Sequence, residues 1–152
     1  MTPTTPDSPA DVSAAPRKSF TRFLPPIARF LLGLPLVIFG LNGFLNFIKP
    51  PADMVMPAKA LQFSTALMES GYMMPLIGAT LLVSGVLLVV NRFVPLALVL
   101  LAPFFVNSVM FHACLERTGL PMALVFTALD LYLAWVNRAA YRPLLTGRHT
   151  PA

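Results

Sequence analysis

Four long apolar stretches, separated by short polar or proline-bearing breaks, organise this chain. The first, residues 27–48 (IARFLLGLPLVIFGLNGFLNFI), follows Pro25-Pro26 and is closed by Lys49-Pro50-Pro51. The second covers residues 73–90, with Pro75 near its first turn, and Asn91-Arg92 joins it to the third, residues 93–115. So short a link forces an antiparallel helical hairpin. Glu116-Arg117-Thr118-Gly119 forms the next turn, and the fourth stretch, with Pro121 where a starting helix tolerates it, runs to Asn137. Each stretch approaches the roughly 20 apolar residues that a bilayer-spanning helix requires.

Between the first two stretches, residues 57–70 (PAKALQFSTALMES) carry apolar side chains at Leu61, Phe63, Leu67 and Met68. That spacing predicts a short amphipathic helix lying at the membrane interface, stopped by Gly71. The expected fold class is therefore all-α: an integral membrane four-helix bundle with a short interfacial helix between helices one and two. Residues 1–22 read as a disordered cytoplasmic tail, residues 23–145 as the transmembrane domain and residues 146–152 as a basic C-terminal tail. A cleaved signal peptide is not expected, because the apolar run starts late and ends in Asn-Phe-Ile-Lys.

Composition supports the same class, with 57% of the 152 residues hydrophobic and 11% charged. A soluble domain of this size could not bury that much apolar surface. Four spans leave little chain for an extramembrane catalytic domain. The net charge of +5 does not point to nucleic acid, since the basic residues flank the apolar stretches. Arg17, Lys18, Arg22, Arg29, Arg92, Arg138, Arg142 and Arg148 fall on one side of the four spans, and Lys49, Lys59 and Arg117 on the other. This imbalance predicts both termini in the cytoplasm. The single cysteine, Cys114, is expected to be a buried, inert thiol.

Candidate chemistry is confined to a few polar residues within the apolar stretches. Asp130 lies about 16 Å along the fourth helix from its outer end at ~1.5 Å per residue. A charge at such depth costs at least ~2.5 kcal/mol, so Asp130 is expected to face the bundle interior. Ala123, Thr127, Asp130, Ala134 and Asn137 fall on one small, polar stripe that predicts the packing face. Partners at comparable depth are Asn107 on the third helix and, nearer the outer side, Asn42 and Asn46 on the first. Pro103, one turn before Asn107, frees a backbone carbonyl. Two readings stand side by side: interhelical hydrogen bonding alone, or a small polar pocket for a proton, a quinone or another small substrate.

His112, one turn before Glu116, reads as an interfacial hydrogen-bonding residue, and a bis-histidine haem is excluded because His149 belongs to the tail. No metal site is expected from His112 and Cys114. Gly33 and Gly40, and Gly78 and Gly85, each mark one face for close helix packing. Phosphate-loop, nucleophile and metal motifs are absent from the sequence.

Arg29-Phe30-x-x-Gly33 with Gly40, the pair Gly78 and Gly85, and the stretches NRFVPLALVLLAPFFVNSVMFH and ALDLYLAWVNRAAYRPLL together resemble the DoxX family of small bacterial membrane proteins, over roughly residues 27–145. The resemblance implies a four-helix protein of the bacterial cytoplasmic (inner) membrane, related to quinone-linked DoxD subunits of thiosulfate oxidation. One departure is Asn42-Gly43-Phe44, where many members carry a basic residue. What the resemblance implies about function is an accessory subunit associated with a quinone or redox partner, without autonomous catalysis. A small oligomeric transporter or proton-coupled permease, suggested by Asp130, Pro35 and Pro103, and a purely structural assembly module are the alternatives. The bilayer is the expected partner, with a partner protein or second copy beside it. A quinone site needs an apolar crevice open to lipid, a transporter needs a polar path to both sides, and a packing module needs neither.

Overall fold

In a computed structural model, residues 23–49 and 55–145 are described. Both expected terminal tails, residues 1–22 and 146–152, lie outside the described residues. Among the described residues the protein is all-helical: α1 (Leu24–Leu45), α2 (Ala58–Glu69), α3 (Met73–Val89), α4 (Val94–Cys114), α5 (Leu120–Val136), a 3-10 turn (Arg138–Tyr141) and a last helical turn, α6 (Arg142–Leu145).

α1 starts before the expected position because Pro25 and Pro26 occupy its first turn instead of preceding it. Those positions have no helical acceptor for an N–H, so a residue lacking one loses nothing there. At the other end Asn46 adopts a left-handed conformation (φ 48°) and donates its N–H to the Asn42 carbonyl. The Asn42 side-chain oxygen accepts the Ile48 N–H at 2.6 Å. α1 and α4 run uninterrupted through Pro35 and Pro103. Neither proline breaks its helix; each costs one backbone hydrogen bond within an otherwise continuous helix.

Three connections set the path. Ser70 donates its hydroxyl to Leu67 O and accepts the Met73 N–H, while Gly71 (φ 74°) turns the chain so that α2 meets α3 at 88°. The hairpin between α3 and α4 spans four residues, 90–93, rather than two, because Asn91 and Phe93 both take positive φ. After α5 the chain does not run out as a simple tail. It folds back, and the Tyr141 hydroxyl donates to Pro95 O at the start of α4, 46 residues away.

The tightest packing joins α1 to α3, which run antiparallel. A side-chain carbon at Gly40 would fall 2.5 Å from Leu82 N, and one at Gly85 would fall 2.8 Å from Val37 N. Backbone therefore meets backbone along this face, as the two glycine pairs predict. α4 closes against α3 and α5, with Leu32, Leu36, Leu88, Leu98, Leu101 and Leu133 fully or almost fully buried between helices.

Outside this core, large apolar side chains face outward on α1, α3, α4 and α5, including Leu131, Trp135 and Val106. So extensive an exposed apolar surface is stable against lipid, not water. α1 (22 residues) and α4 (21 residues) are each long and apolar enough to cross a membrane, the mark of a membrane protein. The bent pair of α2 and α3 would supply a third crossing if taken as one span, and α5 is apolar but only 17 residues long.

Candidate binding cavities and buried polar groups

α2 lies across α3 and α4 without filling the space between them, and the gap is a crevice of about 520 Å³. Phe63 and Leu67 of α2, Ile77 and Thr80 of α3, and Pro103 and Phe104 of α4 contribute to its walls. Phe63 stacks at 5.6 Å on Phe111, which fixes the approach of α2 to α4. Polar groups are few here. Thr80 spends its hydroxyl proton on Leu76 O. Asn107 is exposed on the wall, and its side-chain amide makes no hydrogen bond among the described residues. An amide offers both donor and acceptor, so Asn107 is the largest unspent polar group of this apolar crevice, beside the hydroxyls of Ser64 and Ser108, likewise unpaired among the described residues.

A second cavity of about 260 Å³ lies between α1, α3, α4 and α5. Phe104 and Ser108 border both spaces, whereas His112 faces only the second. His112 is held by the turn after α4. Its Nδ1 lies 2.9 Å from Glu116 Oε2 and 3.1 Å from Glu116 O, and the N–H groups of Thr118 and Gly119 donate to the same carboxylate at 2.7 and 3.1 Å. The Thr118 side chain, then the backbone N–H groups of Gly119 and Thr118, then His112 hold the Glu116 carboxyl well down, to about 2, against an opposing contribution from partial burial. The imidazole ring lies on Gly119, where any side-chain carbon would collide with it.

Asp130 faces the interior of the bundle and is 5% exposed. It lies ten residues into α5, ~15 Å from the Leu120 end. Neither of its oxygens has a hydrogen-bond partner among the described residues, and Oδ1 is fully buried. The expected neighbours are elsewhere: Asn107 lines the outer crevice, Asn42 and Asn46 terminate α1, and Thr127 bonds back to Ala123 O at 2.7 Å. The polar stripe of α5 is thus satisfied mostly along its own helix, with the Asn137 amide likewise donating to Leu133 O.

Three polar groups escaped the sequence reading. Ser84 is completely buried with an unpaired hydroxyl, and Arg29 Nε is buried and unpaired on α1. Position beside Gly85, on the small-residue face, was the available signal for Ser84. Tyr141 is the third; burial, and after it the charge of Asp130, push its phenol above the ordinary value, which puts the two side chains within electrostatic reach. Cys114 is exposed at the end of α4, contrary to the buried thiol expected, because its helix ends there and no other element covers it. Among the described residues no three His, Cys, Asp or Glu side chains gather into a metal-sized group.

Fold and surface together define an all-helical membrane protein. No family model, curated protein or solved structure matches the chain.

Proposed function

We propose that this protein is a DoxX-like accessory subunit of the bacterial inner membrane. α1, α3, α4 and α5 cross the bilayer, α2 lies at the interface, both termini are cytoplasmic, and a quinone or similar lipid-soluble carbonyl compound binds in the outer crevice beside a redox partner protein. The observation that carries this reading is the crevice of about 520 Å³ with the unpaired Asn107 amide on its wall. Its lining is apolar enough for an isoprenoid-like tail, and the amide N–H can donate to a ring carbonyl. The polar path that a transporter would need gains no support from Asp130, which lines neither cavity.

Copurification from mild detergent, with mass spectrometry of bound lipids, quinones and proteins, tests the reading directly. A quinone should be retained by the unaltered protein and lost from Asn107→Leu, while the yield of folded protein stays the same. Equal retention by both proteins, or absence of any quinone from the unaltered one, would refute it.

A further inference from the structure

The cavity between α1, α3, α4 and α5 is distinct in chemistry from the outer crevice. At about 260 Å³ it exceeds the ~150 Å³ of a void able to hold benzene, so a six-membered ring with a small substituent fits. Four of its lining residues are phenylalanines, Phe39, Phe104, Phe105 and Phe126, which favour edge-on or offset contact with another aromatic ring.

Its polar lining is specific in a second way. Both atoms facing His112 Nδ1 are oxygens that can only accept, one a carbonyl and the other a carboxylate, so Nδ1 must carry the proton. In the neutral ring that leaves Nε2 as a bare acceptor, and it has no hydrogen bond among the described residues. Ser108, one turn earlier on the same helix face, also borders the cavity, and its hydroxyl has no partner among the described residues. An acceptor and a hydroxyl donor at this spacing are the complement of a hydroxyl group, which donates once and accepts once. A carbonyl or ether oxygen would satisfy Ser108 and leave Nε2 facing an acceptor.

We propose that this cavity binds a small neutral aromatic alcohol of phenol size, whose hydroxyl donates to His112 Nε2 and accepts from Ser108. Glu116 is a positioning residue that fixes the tautomer, and Gly119 leaves room for the ring. The site does not depend on the crevice reading, since Asn107 is not on its wall.

Fluorine NMR of the full chain in lipid nanodiscs at about pH 8, with empty nanodiscs as baseline, tests the proposal using 4-fluorophenol, 4-fluoroanisole and 4-fluorotoluene. Saturable binding of 4-fluorophenol is expected, about tenfold tighter than 4-fluoroanisole, the worth of one good hydrogen bond, and tighter still than 4-fluorotoluene, which makes neither bond. His112→Phe should weaken 4-fluorophenol about tenfold, because only the Ser108 bond remains. Because that change also removes the Glu116 contact, Ala123→Leu serves as the second variant: it fills the cavity, leaves the turn intact, and should abolish saturable binding of all three compounds. Equal affinity for the three compounds in the unaltered protein would overturn the proposal. So would tighter binding of the anisole, absence of saturation, or 4-fluorophenol binding that survives Ala123→Leu.

Discussion

A single buried carboxylate shows how position and partnership are separate matters. Asp130 faces inward, as the cost of exposing it to lipid demands, yet no hydrogen bond reaches it from the described residues. A buried polar group without a partner contributes only its desolvation penalty, about 1–3 kcal/mol, and an apolar replacement of similar size removes that penalty. Asp130→Leu is therefore expected to leave thermal stability in detergent unchanged or to raise it. A loss of more than ~1 kcal/mol in a reversible unfolding assay would reveal an interhelical partner, since such bonds are worth about 0.6–2 kcal/mol. Stability retained in Asp130→Leu together with a lost cellular function would mean that the carboxylate is kept for activity, with Tyr141 within its electrostatic reach.

At the scale of elements, two contacts hold the bundle together and both give sharp expectations. Along α1 and α3, glycine allows backbone to touch backbone, so even one methyl group at Gly40 meets Leu82 main-chain atoms that cannot move aside. Overpacking of this kind costs ~1–3 kcal/mol. Gly40→Ala should lower stability by that amount, whereas Gly71→Ala, with open space around it, should be limited to the strain of a positive φ; the two melting temperatures in one detergent make the comparison. The turn between α4 and α5 depends instead on charge. Glu116 has its folded value held to about 2, below the usual 4.5, so its contribution to stability is fully present above the usual value. It is lost as pH falls from about 4.5 through about 2. Protection of the Thr118 and Gly119 amides, relative to their intrinsic exchange rates at each pH, should fall across that window, and Glu116→Gln should remove most of this fall.

For the molecule as a whole, the arrangement of charges sets the orientation expected in the bilayer. With Cys114 replaced by Ser, Arg92→Cys and Lys59→Cys proteins in intact cells should react oppositely with a membrane-impermeant thiol reagent: Lys59→Cys labels from outside, and Arg92→Cys labels only after the membrane is opened. Labelling of both from the same side would refute the topology with cytoplasmic termini.

The helical class, the apolar exterior and the approximate limits of α1 to α5 are written in local order, because an apolar run long enough to meet lipid is a property of consecutive residues. The glycine pairs were legible too, since residues seven apart share a helix face wherever the helix goes. Helix ends were less so: the extra residues in the turn at 90–93 and the fold-back after α5 depend on left-handed conformations and on a bond from Tyr141 to Pro95 O, neither of which has a periodic signature. Polar pairing between helices was not legible. Depth along separate helices suggests Asn107, Asn42 and Asn46 as partners of Asp130, but depth leaves the rotation of each helix undetermined. Tertiary packing turned Asn107 to the crevice, His112 to the second cavity and Asp130 into the core. Sequence alone thus determined that the chain forms apolar helices and which faces approach closely. Only the packed structure decided which polar groups meet and where space is left, because both depend on how separate helices are rotated and spaced against one another.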